Sequence, residues 1–81
     1  MSWSTSKRDA LDDEKPLPHR ASHARSCAML VAQKWQVDRD AVFDRVNDLC
    51  GVDLTNKPSS DEITIAVEVL EKLRFDWSEL Q

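Results

Sequence analysis

Glycine is nearly absent from this chain. Gly51 is the one example in 81 residues, and tyrosine does not occur at all. Glycine is the usual residue where backbone turns through positive φ, so this scarcity argues against a turn-rich β fold. It also removes the glycine-rich loops that cradle phosphates, and no nucleophile-elbow pattern is present. There are two cysteines, Cys27 and Cys50, and no C-x-x-C pair. Both fall on predicted apolar helix faces, which fits reduced, buried thiols in a cytoplasmic protein. No apolar run approaches the roughly 20 residues of a membrane-spanning helix. Residues 1–7 lack the apolar core of a signal peptide. A chain of 81 residues suffices for one domain and is too short for two.

Charge is uneven. The net is −4; residues 1–37 carry +2 and residues 38–81 carry −6. The acidic half disfavours nonspecific binding to nucleic acid and suits a partner with a basic surface.

The densest apolar run lies between Ser59 and Trp77. As a strand, Ile63, Ile65, Val67 and Val69 would share one β-branched face. As a helix, Ile63, Ala66, Val67, Leu70 and Leu73 line one side at i, i+3, i+4, i+7 and i+10. Three features decide for the helix. Ser59 and Glu62 have capping-box spacing. Asp61 and Glu62 stand at the positive end of the helix dipole, with Lys72 and Arg74 at the negative end. Glu68 and Lys72 form an i,i+4 pair in the favourable order. Ile65 and Val69 widen the apolar face, so this helix is expected to be central and to touch two neighbours.

Two further helices are predicted upstream. Ala24, Cys27, Ala28, Val31 and Trp35 recur at helical spacing over about 20–35. Val42, Phe43, Val46, Leu49 and Cys50 do so over 39–50, with Asp38 as N-cap and Gly51 in the left-handed position that ends the helix. Residues 1–18 read as a flexible N-terminal arm. Leu11 is isolated, Trp3 has no periodic partner, and Pro16 and Pro18 block a continuous helix. Residues 1–15 are therefore expected to be dispensable for folding. Phe75, Trp77 and Leu80 read as an aromatic tail lying back over the core. The expected fold is all-α: a compact three-helix domain over 19–81, helix-turn-helix-like, preceded by the arm.

Three groups of residues invite a functional reading. Asp40, Asp44 and Asp48 stand at i, i+4 and i+8 on the outer face of the second predicted helix. Like charges so placed repel by a few tenths of a kcal/mol per pair. They form an acidic stripe suited to a basic groove on a partner. Trp77 adds an aromatic anchor of the kind enriched in binding hot spots. A second group, Arg20 and Arg25 within a small basic cluster, could instead touch phosphates. In the third group, His19, His23 and Cys27 share one face at i, i+4 and i+8. Two histidines so spaced can grip a metal ion, but the blander reading is two solvent-facing histidines and a core cysteine.

The helix Val42–Leu49, the break Gly51-Val52-Asp53, the polar loop after it and the run from Val67 to Phe75 together carry a resemblance. Residues 35–77 resemble the helical C-terminal module of phage-type primase–helicase proteins of the virulence-associated-protein-E kind. That family often closes the run with a Leu-Gly-aromatic turn, where this chain has Arg74. The resemblance implies a helix-turn-helix-like module from a mobile element. The third predicted helix lacks the basic surface that DNA reading through it would use. The reading is a small non-enzymatic interaction or regulatory protein, without cofactor or metal, docking on a basic partner protein through Asp40, Asp44, Asp48 and Trp77. The alternative is a nucleic-acid-binding accessory factor using Arg20 and Arg25.

Overall fold

The computed structural model describes residues 2–77. Among these residues there are four α-helices and no strand: α1 (Trp3–Ala10), α2 (Leu17–Trp35), α3 (Arg39–Cys50) and α4 (Ser60–Phe75). The α-carbon radius of gyration is 11.3 Å, against about 12 Å for a compact domain of this length. No helix among the described residues is long and apolar enough to cross a membrane.

α4 forms as its sequence dictates. The Ser59 hydroxyl accepts from the Glu62 amide at 3.2 Å, and Glu62 Oε1 accepts from the Ser59 amide at 2.9 Å. Both halves of the capping box are thus made. Ile63, Ala66, Val67, Leu70 and Leu73 are fully buried, and α4 packs against α1, α2 and α3. The expected widening of the face is incomplete, because Ile65 is 44% exposed while Val69 packs partly on the core.

The three-helix expectation is corrected to four. Residues 3–10 form a helix docked on α2 and α4, in place of the flexible arm predicted there. The Ser2 hydroxyl caps it by accepting from the Thr5 amide at 3.3 Å. A helix of eight residues has no stability alone, so packing holds it. Trp3, Ser6 and Ala10 are its buried positions, a helical i, i+3, i+7 stripe. Only Trp3 is a large apolar residue, which hides the stripe from a hydrophobicity reading. Trp3 lies under the Arg74 guanidinium, 5.0 Å from ring centroid to Cζ. Lys7 pairs with Glu71 at 2.8 Å. Successive residues of α1 therefore meet α4 in reverse order, and the two helices run antiparallel.

α2 begins at Leu17, before the predicted start. Pro16 is its N-cap and Pro18 lies in its first turn. Backbone amides there have no intrahelical acceptor, so proline costs nothing at that place. Its buried residues are mostly small: Ala21, Ala24, Cys27, Ala28 and Ala32, with Val31. Small side chains let α1 and α4 approach closely. At the far end, the Trp35 indole donates to Leu73 O at 2.8 Å and the Lys34 ammonium to Arg74 O at 2.6 Å. Side chains of α2 thus satisfy carbonyls that the last turn of α4 leaves open.

Arg20 is 3% exposed, the one buried charged residue among those described. Its Nε donates to Ala10 O at 2.9 Å and its Nη1 to Ser60 Oγ at 2.8 Å. Nη2 lies 3.6 Å from Asp13. This side chain ties the end of α1 to the starts of α2 and α4.

α3 ends at Gly51, with φ 73° and its amide bonded to Asn47 O at 2.7 Å. That left-handed geometry favours glycine. Val52 and Leu54 then turn inward and are buried. Asp38 occupies the N-cap position, but its side chain makes no capping bond. The apolar stripe of α3 is narrower than predicted: Val42 and Val46 are fully buried, whereas Leu49 is 42% exposed. Of the expected aromatic tail, Phe75 points to solvent and Trp77 is half-buried against the core. Leu80 lies outside the described residues.

Candidate functional site

Asp40, Asp44 and Asp48 project from α3 into solvent, as their four-residue spacing predicts. Among the described residues the only ion pair they make joins Asp40 to its neighbour Arg39, at 4.0 Å between two exposed side chains. Arg45 lies on the same helix but turns the other way. Its guanidinium covers the Trp77 ring at 4.4 Å and donates to Trp77 O at 3.2 Å. The stripe thus keeps its negative charge.

Asp40 and Asp44 border an open hollow of about 330 Å³ together with Phe43, Asn47, Asp53 and Thr55. Asp53 is fixed by its neighbour two residues on. The Thr55 hydroxyl donates to it at 2.6 Å and the Thr55 amide at 2.9 Å. These two bonds hold the Asp53 carboxyl below the usual carboxylate range, the hydroxyl contributing most. Three carboxylates therefore surround a half-buried phenyl ring. Such a surface attracts a cationic group and offers apolar area beside it. Asp48 and Trp77, expected to belong to the same face, do not border this hollow.

The other expected groups are placed differently. Arg20 is the buried strut described above, so it does not present its guanidinium to a phosphate. Arg25 is half-buried and donates to Leu54 O at 3.2 Å. The His19 and His23 rings meet edge to face, 6.3 Å apart. His23 Nε2 is 3.8 Å from Asp9 Oδ2, and Asp9 also takes a hydrogen bond from Lys15 at 3.1 Å. That bond chiefly holds the Asp9 carboxyl below its ordinary range. Cys27 is fully buried within the hydrophobic core. No group of three His, Cys, Asp or Glu among the described residues is arranged around a common metal position.

The two thiols differ in environment. Burial pushes the Cys27 thiol up to about 11, against a small opposing effect of Lys7. At pH 8 on the order of one Cys27 in a thousand is then thiolate, the reactive form. Cys50 is half-buried. A thiol reagent added at pH 8 should therefore modify Cys50 alone in the folded protein and reach Cys27 only in denaturant. Mass spectrometry of digested samples reads this directly; equal modification of both under native conditions would contradict the packing around Cys27.

Sequence reasoning missed Asp53, Thr55 and the second role of Phe43, which walls the hollow while packing against the core. The Asp-x-Thr spacing at 53–55 is a local side-chain turn signal that could have marked the loop as ordered. Comparison with family models, with curated proteins and with solved structures finds no match to this chain.

Proposed function

We propose that this chain is a small non-enzymatic interaction or regulatory protein that docks on a partner protein with a basic surface through the α3 acidic face. The observation that carries this reading is the exposure and weak pairing of Asp40, Asp44 and Asp48. They are exposed and repel one another at helical i,i+4 spacing; Arg39 meets Asp40 at 4.0 Å between two exposed side chains, and Arg45 is spent on Trp77. A surface selected for stability alone would avoid that arrangement. The position of Phe43 between Asp40 and Asp44 adds apolar area to the charged one. Trp77 contributes by closing over Arg45 rather than by standing free as an anchor. The resemblance of residues 35–77 to the primase–helicase module is the sole ground for attributing the protein to a phage or mobile element.

The test is the triple variant Asp40→Asn, Asp44→Asn, Asp48→Asn, compared with the parent for capture of host proteins and for affinity against ionic strength. The variant should fold and melt slightly higher, since the repulsion is gone. It should bind the captured partner on the order of tenfold more weakly at low salt, with a flatter salt dependence. The nucleic-acid alternative gives the opposite result: the variant would bind nucleic acid more tightly, because negative charge near a polyanion has been removed. Unchanged affinity for both would overturn the acidic-face reading.

A further inference from the structure

The acidic hollow on α3 is one end of a longer groove. Thr55 borders it, and Thr55 also borders two further hollows. The middle one, about 250 Å³, lies between Met29 and Arg25 of α2 and Phe43, Arg39 and Asp40 of α3. The far one, about 470 Å³, has apolar walls from Leu17, Pro18, Ala21 and Pro58, with Arg25 and Lys57 at its edge. One side of the groove is thus an i+4 ridge of α2: Leu17, Ala21, Arg25 and Met29. The opposite side is the loop 53–58 followed by α3.

We propose that this groove takes a short segment of a partner protein whose residues run acidic, apolar, basic along it, the acidic end over Arg25 and Lys57 and the basic end over Asp40, Asp44 and Asp53. The basic end rests on the acidic-face reading above; the acidic and apolar requirements are new. Charge complementarity chooses the occupant. The charged side chains of the far hollow are the cations Arg25 and Lys57, those of the near one are three carboxylates, and the middle one mixes Arg25 and Arg39 with Asp40. A uniformly charged partner would therefore meet repulsion at one end. Between the two ends Met29 is 40% exposed, and Leu17 at the far end is 44% exposed; methionine is a side chain that adapts to different apolar partners. From Leu17 to Met29 the α2 ridge spans about 18 Å, the length of five or six extended residues. The wall is already ordered. Leu54 is buried, Arg25 holds its carbonyl, and Asp53 holds Thr55. Little ordering cost falls on the protein when a segment binds.

The test pans a random-peptide display library on the full chain and on the double variant Lys57→Glu, Asp44→Lys, both at exposed positions. The parent should enrich an acidic–apolar–basic consensus, and the double variant should lose it. Lys57→Glu cancels Arg25 at the far end, and Asp44→Lys leaves the near end a net charge of only −1 beside Asp40 and Asp53. Fluorescence anisotropy with one enriched peptide should then show at least tenfold weaker binding to Lys57→Glu, to Asp44→Lys and to Met29→Glu, with circular dichroism confirming that each folds. A purely basic consensus that is lost in Asp44→Lys but indifferent to Lys57→Glu and Met29→Glu would overturn the groove while leaving the acidic face standing. No enriched consensus, or binding indifferent to all three changes, would overturn the groove too. Sedimentation of the parent covers the remaining occupant: a dimer that Lys57→Glu dissociates would put a second copy of this chain in the groove instead.

Discussion

Deleting residues 1–15 is expected to lower the melting temperature by about 15 °C or more, or to leave the chain unfolded at room temperature. Removing a buried tryptophan side chain alone costs about 3–5 kcal/mol, and Trp3 is 8% exposed. The deletion also takes away Ala10 O, the acceptor for the buried Arg20 Nε, and a buried donor left unmatched costs about 1–3 kcal/mol more. A domain of 81 residues holds about 4–12 kcal/mol in all, and each kcal/mol shifts the melting point of so small a domain by about 4–8 °C. Circular-dichroism melts of the parent, the truncation and Trp3→Ala test this. A truncated chain melting within three degrees or so of the parent would mean that α1 adds nothing to the fold and that the dispensable-arm expectation was sound after all.

Leu70→Ala should cost about 2–5 kcal/mol. Leu70 is fully buried at the middle of α4, which, like α2, touches the other three helices. Urea titration should show a lower midpoint with an unchanged slope, the mark of lost stability without a changed transition. Ile65→Ala on the same helix is the control. Its side chain is 44% exposed, and surface substitutions of that kind usually stay within about 0.5 kcal/mol. Equal effects at the two positions would mean that the buried stripe of α4 is misassigned.

These two expectations show where sequence reasoning reaches and where it stops. α4 could be read because its stripe is made of large side chains and its first turn is written in Ser59 and Glu62. The end of α3 could be read because Gly51 is needed there. α1 could not, since two of its three buried positions are Ser6 and Ala10, which carry almost no hydrophobic signal. The start of α2 was misplaced because two prolines look like an obstacle until the first turn is seen to need no amides. Missing α1 also hid the contact Arg20 makes with Ala10 O. An arginine in a basic cluster can be read as a phosphate ligand when one of its acceptors is a backbone carbonyl on an element not yet recognised. The acidic stripe was legible from four-residue spacing alone. The groove was not, because its loop wall meets α2 only through tertiary packing.

The three tryptophans occupy three different seams. Trp3 seals α1 to the end of α4, Trp35 joins the ends of α2 and α4, and Trp77 folds the last described residue back onto α3. Each indole also has a cation beside it: Arg74, Lys34 and Arg45 respectively. With no tyrosine in the chain, ultraviolet emission comes almost wholly from these rings. The protein therefore carries its own set of optical reporters. Replacing any two tryptophans by phenylalanine leaves a single fluorophore that follows the opening of one seam without an added dye.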